Sequence, residues 1–422
     1  IYLLLFISLI GCIVPRIVSH AKALRRQPPR VPARLDRLAA HASMTTSASA
    51  AEVSQRAQQW LTSHRYRFVV DDDGSLRAEA GRHRETGNLV FHIFLVFVLV
   101  GVGWNTLWGF KGTSVVVEGQ GFSNSITQYD EFKAGAMVDT DNLTPFSMKL
   151  RKFVVSFETG TVQRGAARSF DATVDLTMGG KTQTRDLQVN HPLRIGSTKV
   201  HLLGHGYAAD VVVRDGDGKV AYSGPVVFLP QDANFKSVWV IKAPDARPDR
   251  LAFQGFFLPT GAITAGGPTS LFPDALNPQL YLTAWYGKPT VETGVPSNIY
   301  TLDTTGLTQV TNGKDKARFV LSPGQRYKLP DGKGSIQFNG WQRWAKIQVS
   351  QNPGLPLTFL SVVLSVAGLC VSLFSRSRRV WVRTIPGDDG LRVEIGGLDR
   401  SDSRSGAVDD VNSLLAALHG DS

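Results

Sequence analysis

One histidine, His92, lies inside an apolar run, Leu89-Val90-Phe91-His92-Ile93-Phe94. An ionisable group in a membrane-length segment is unfavourable unless it is paired or faces a cavity, so it stands first among the candidate functional residues. Neutral imidazole is also a good axial ligand for haem iron. At helical spacing Glu85, Asn88 and His92 share one face, which can carry an iron ligand together with partners that orient it. Arg82, His83 and Arg84 stand just before the run. Fixing topology is the simpler role for these charges. The other is contact with haem propionates, carboxylates that suit arginine, most directly Arg84. A bland reading of His92 stands beside the ligand reading: a ring at the interface that reaches the headgroups.

Other chemistry-bearing residues carry less. His191, His201 and His205 are scattered through a β-rich stretch. In His201-Leu202-Leu203-Gly204-His205 a regular strand would turn both histidines to one side. No third ligand or acidic partner is near, so ordinary surface or turn positions explain them better. Trp341 and Trp344 bracket Arg343 shortly before an apolar segment and read as interfacial anchors. The only cysteines, Cys12 and Cys370, both lie in apolar runs. With no CxxC and no zinc spacing, a disulfide framework and a thiol redox centre are excluded for the polar part. Gly179-Gly180 and Gly266-Gly267 read as turns. No P-loop, dinucleotide fingerprint, GxSxG or HExxH is present, so nothing argues for a hydrolase.

The elements that must position His92 are apolar segments. Residues 1–14 form a short one, ended by Pro15 and Arg16, which reads as the end of a truncated membrane helix. Residues 89–110 and 354–374 are long enough to cross a bilayer of roughly 30 Å. Basic residues flank them unevenly. Arg16, Lys22, Arg25, Arg26, Arg30, Arg77, Arg82 and Arg84 lie between the first two segments, and Arg376, Arg378, Arg379 and Arg383 follow the third. Positive charge prefers the cytoplasm. Residues 15–88 are therefore expected as a cytoplasmic loop, 375–422 as a cytoplasmic tail, and 111–353 outside a plasma membrane crossed several times. The formal net charge of +11 sits largely beside membrane segments, which favours lipid contact over nucleic acid.

The fold expected is integral membrane α-helices plus a large all-β extracytoplasmic domain, sandwich- or barrel-like. Hairpin signals occur at Val211–Val213 and Val220–Tyr222 around Asp215-Gly216-Asp217-Gly218, and at Tyr327–Leu329 and Ile336–Phe338 around Asp331-Gly332-Lys333-Gly334. Lys152–Phe157 and Ala172–Met178 read as strands, and residues 267–300 as more helical or irregular. In the loop, Gln27–Pro32 and Ser43–Ala51 read as low complexity, Val53–Leu61 as a helix, and Tyr66–Val70 with Leu76–Ala80 as a small hairpin. The tail after Ile395 reads as mobile, with a short helix possible at Val408–Leu418.

Several of these stretches resemble one family. Gly81 through His92 is similar to the start of the third membrane helix of ResB proteins, the Ccs-type cytochrome c biogenesis proteins. Asn352-Pro353-Gly354-Leu355-Pro356-Leu357, followed by Arg378-Arg379-Val380-Trp381-Val382, resembles the last helix. Asn190-His191-Pro192-Leu193 through Gly206-Tyr207 resembles an outer-domain segment, and Tyr2 to Arg16 the second helix. The family's first helix has no counterpart here.

The resemblance implies a subunit of a membrane complex that moves haem b outward and supports its attachment to apocytochrome c. It implies a ResC/CcsA-like partner and a thioredoxin-like thiol reductant. His92 matches the position of the family's haem-ligating histidine. Whether such a chain counts as an enzyme stays open; it matches a non-catalytic subunit of a haem-transporting synthetase. The rival reading is a membrane-anchored extracytoplasmic binding or scaffold protein without haem, in which His92 is replaceable.

Overall fold

The computed structural model describes residues 1–289, 301–388, 390–399 and 406–419. They divide into two compact units, residues 1–105 with 354–422, and residues 106–353.

Among the described residues five α-helices form in chain order: α1 (Tyr2–Arg25), α2 (Ala50–Ser63), α3 (His83–Trp108), α4 (Leu355–Phe374) and α5 (Gly406–His419). By length and apolar composition, α1, α3 and α4 can each cross a membrane. The expected stop at Pro15 does not occur, for α1 continues to Arg25 with the proline inside it. A span tolerates the lost backbone bond where neighbouring helices and side chains re-satisfy the freed groups. Likewise α3 begins at His83, so Arg84, Glu85 and Asn88 belong to the same helix as His92.

The three spans pack as an antiparallel set. The Tyr2 hydroxyl donates to the Leu99 carbonyl, while His20 Nε2 lies 2.9 Å from Thr86 Oγ1, so α1 runs against α3. On another face of α3, Ser365 Oγ donates to the Phe91 carbonyl at 3.2 Å. Glycine allows this approach. A Cβ on Gly87 would lie 2.5 Å from Ser372 N and 2.6 Å from the Gly368 carbonyl oxygen. Small residues at such seams are how apolar helices pack closely without a hydrophobic drive.

The loop and the described parts of the tail, which exclude residues 400–405 and 420–422, are not separate low-complexity and mobile pieces. They fold together into one antiparallel sheet, in the order Ala40–Thr46, Gly390–Asp399, Arg378–Gly387, Leu76–Ala80, Arg67–Val70. The last two of these strands are the hairpin expected from the sequence. One face is covered by α2 and α5 through Val53, Ala57, Leu61, Val411 and Leu414. α2 starts at a capping box: the Ser49 hydroxyl accepts from Glu52 N at 3.3 Å and the Glu52 carboxylate accepts from Ser49 N at 2.9 Å. The Ser/Thr/Ala-rich stretch is thus a strand end and a helix start. The Pro-rich stretch is also ordered. Carbonyls in it and just after it accept from side chains on the sheet: Pro28 from Arg77 at 3.2 Å, Pro29 from Trp381 at 3.0 Å and, one residue beyond, Ala33 from Arg383 at 3.2 Å. Proline cannot donate to a ladder, so carbonyl acceptance is the bonding left to it.

The second unit is all β, with open sheets of seven, six and four strands besides two short hairpins, and no closed barrel among the described residues. Two 18-residue strands, Thr198–Asp215 and Gly334–Gln351, pair along their lengths. Both expected hairpins form, against Val220–Val227 and Arg326–Lys328. One end of the long pair contributes Val200, Leu202 and Ile347 to a core with Phe153, Val174 and Leu187. The other end contributes Val211, Val213 and Phe338 to a core with Trp239, Phe253 and Leu282. Part of the stretch expected to be irregular is instead strand, Gly267–Ser270 and Gln279–Gly287; residues 290–300 lie outside the described residues.

A bulge at Leu203 shifts the register, so His201 opposes Gln348 and His205 opposes Ala345. The inward positions therefore pass from even to odd numbers, and His201 and His205 face opposite sides. Trp344 is not an interfacial anchor: it is 5% exposed, inside a strand, and donates to the Tyr207 carbonyl at 2.9 Å. Trp341 packs against the second core. Between them Arg343, 6% exposed, binds Asp274 at 2.6 Å.

Candidate functional site

The His92 ring occupies a groove between α1 and α3. His92 Nδ1 lies 2.8 Å from the backbone carbonyl oxygen of Asn88. A carbonyl only accepts, so this contact puts the proton on Nδ1 and leaves the Nε2 lone pair available to a metal. The Phe91 ring stands edge-on to the imidazole at 5.0 Å between centroids. The groove, about 290 Å³, is lined by Ser8, Cys12 and Arg16 of α1 and by Leu89 and His92 of α3, among others. Ser8, Cys12 and Arg16 follow one another at four-residue intervals, which puts them on one stripe of α1. An imidazole oriented by a backbone acceptor, beside an apolar wall, is suited to serve as an axial haem ligand. The donor set present fits that group.

The other expected residues divide between two spaces. Asn88 serves His92 through its backbone, whereas its side-chain oxygen is buried with no partner among the described residues. Asn88, Glu85 and Arg84 line a larger cavity of about 810 Å³ at the Arg82 end of the helices. Glu85 pairs with Arg16 at 3.8 Å. Arg16 borders both the groove and the cavity. The sequence reading gave Arg16 a topological role only, because it ended the first helix at Val14. The polar stripe Ser8, Cys12, Arg16 in an apolar run was the signal that could have found it.

His191, His201 and His205 belong to the second unit. Among the described residues no three His, Cys, Asp or Glu side chains form a metal-binding group. His205 stacks on Phe235 at 4.6 Å and is ringed by Phe153, Phe157 and Phe170. Burial first, and the Arg343 charge second, hold its protonation down to about pH 4. Expected at an ordinary surface or turn position, it is instead a partly buried strand residue with a neutral ring, because the bulge at Leu203 turns it toward the phenylalanines.

The cytochrome c biogenesis protein CcsB of Synechococcus sp. (strain JA-3-3Ab) is 24% identical over 316 residues, 74% of this chain and 55% of that protein. The protein of the same name from Picosynechococcus sp. is 28% identical over 136 residues, 32% of this chain and 27% of its own length. The chain spans about half the length of the first of these relatives. A model of the ResB-like family matches residues 1–408. This membrane protein, three apolar helices with a large β-rich unit, belongs to the ResB-like family.

Proposed function

We propose that the chain works in cytochrome c maturation, as the subunit that holds haem b in the bilayer and supports its delivery outward to apocytochrome c. The observation that carries this reading is the His92 ring, oriented by the Asn88 carbonyl in a groove between two spans. The relatives named for cytochrome c biogenesis support the pathway. Haem, when bound, would supply the iron that the Nε2 lone pair is free to ligate. The chain's own residues do the rest. Asn88 fixes the tautomer, Leu89 and Ile13 exclude water from the groove, and Arg16 stands at its polar end, where a propionate carboxylate would pair. Arg84 lines the neighbouring cavity and takes no part in this step.

The loop and tail strands share one sheet, so the segments between α1 and α3 and after α4 lie on one side of a membrane crossed by these spans. The arginines at that end support the cytoplasm as that side, and hence residues 111–353 outside. A CcsA-like protein would bring the second haem ligand, and a thioredoxin-like reductant would keep the substrate thiols reduced. The only cysteines here are in the spans.

The test is to express the full-length protein with its CcsA-like partner, purify the complex in detergent and record the haem spectrum of wild type and His92→Ala. The variant is expected to lose most of its haem or change its axial-ligand signature. Equal haem with an identical spectrum in both would sink the reading and favour the scaffold without haem.

A further inference from the structure

We propose that the larger cavity, at the Arg82 end of the helices, binds the phosphate-bearing headgroup of one acidic phospholipid. Its wall brings the guanidinium groups of Arg16, Arg26, Arg82 and Arg84 together with two carboxylates, Glu79 and Glu85; Arg379, also on the wall, is engaged elsewhere. Both carboxylates are engaged: Glu79 with Arg82 at 3.3 Å and Glu85 with Arg16 at 3.8 Å. Arg26 and Arg84 make no ion pair among the described residues. Like charges gathered in one concavity repel unless a counter-charge joins them, so the cavity favours an anion.

The cavity is built rather than incidental. Arg82 Nη2 donates to the Ala23 carbonyl at 2.5 Å, tying the end of α1 to the start of α3. Gly81, at φ +75°, brings its backbone so close to the Arg376 carbonyl that a Cβ would sit 1.7 Å from that oxygen. Only glycine fits there, and it fixes the rim between the start of α3 and the chain leaving α4. The first-turn amides of α3 add positive potential to the same wall.

Position selects an amphiphile over a free ion. The arginines gather where the apolar runs of candidate spans end, which is headgroup depth. Val18 and Leu24 of α1, 49% and 42% exposed, continue beside them and offer acyl chains an apolar surface. Basic pockets between membrane helices are known lipid sites on these grounds. The proposal needs no haem and does not rest on the role given to His92.

The probes are mixed micelles of phosphatidylglycerol or of phosphatidylcholine, with the full-length protein purified in mild detergent. Bound lipid is counted by extraction and by mass spectrometry of the intact protein. Wild type is expected to retain about one phosphatidylglycerol per chain through washing, to release it at high salt, and to retain no phosphatidylcholine. The double variant Arg26→Gln/Arg84→Gln is expected to retain at least tenfold less, and Arg26→Lys/Arg84→Lys to keep most of it. Haem content should be the same in all three. Equal retention of both lipids, retention unaffected by salt, or full displacement by an equal concentration of inorganic phosphate overturns the proposal. Loss of haem together with lipid in the glutamine variant also overturns it, by assigning the cavity to haem carboxylates. The salt and phosphate arms use wild type alone, so they decide even if the variants fold poorly.

Discussion

His92 Nδ1 and the Asn88 carbonyl oxygen are 2.8 Å apart, one helical turn from each other on α3. The bond uses no side chain but the imidazole, so replacing Asn88 should leave the ring oriented. Removing the ring should not. Purified with its partner, His92→Gly is expected to hold at least about tenfold less haem than wild type. Added imidazole is expected to restore the axial-ligand spectrum, since the vacated space can accept a free ring. Asn88→Ala is expected to keep it. Failure of imidazole to restore a spectrum that His92→Gly has lost would mean that the ring acts by packing, not ligation.

Arg16 separates charge from ligation. It borders the His92 groove and pairs with Glu85 across α1 and α3, with both side chains about half exposed. The pair itself contributes little at that exposure. A haem carboxylate paired with the same guanidinium would contribute about 1 kcal/mol, roughly a fivefold change in retention. Arg16→Gln is therefore expected to lower haem content about fivefold while the remaining haem keeps the wild-type spectrum. An altered spectrum would place Arg16 nearer the iron than this reading allows.

His92 was legible because an ionisable residue stands out in an apolar run, and the two β-hairpins because their Gly/Asp turns are local signals. Arg16 was not, because Pro15 reads as a stop when the neighbouring helix that accommodates it is unseen. Pairing of Ala40–Thr46 with Gly390–Asp399 joins segments some 350 residues apart. Ala40–Thr46 has no composition that announces a strand, and although Leu391-Arg392-Val393-Glu394-Ile395 alternates as one, its partner lies too far away in sequence to be read from it. Trp344 illustrates a different failure: a tryptophan near a span resembles an anchor, and only the ladder reveals its buried partner, the Tyr207 carbonyl. A regular strand would have put His201 and His205 on one side; one extra residue, Leu203, parts them, which no pattern of period two can display.

The α3–α4 seam gives a test of packing. A side chain on Gly87 meets backbone atoms of Ser372 and Gly368, which cannot rotate away. Gly87→Val is expected to push the helices apart and destabilise the first unit by about 1–3 kcal/mol. Thermal inactivation of the full chain in detergent should move to lower temperature. Gly11→Ala is the control, because nothing lies within 4 Å of its added Cβ. If both variants unfold together at the wild-type temperature, the close approach at Gly87 does not hold the spans.

The phenylalanine cage around His205 predicts a pH dependence of the second unit. Burial, and then Arg343, lower its folded value to about 4 from 6.5. Between those limits the unfolded chain binds the proton and the folded chain does not, so stability falls as pH falls. The penalty is absent above pH 6.5 and complete below about 4, amounting to on the order of 3 kcal/mol. His205→Phe keeps an aromatic ring in the cage and removes the titration. The difference between wild type and variant in denaturant unfolding, followed by tryptophan fluorescence, should grow in the variant's favour from pH 6.5 down to 4 and then level off. A difference that stays constant across that range would mean that the imidazole is already charged in the folded cage, with water or an anion beside Arg343 to stabilise it.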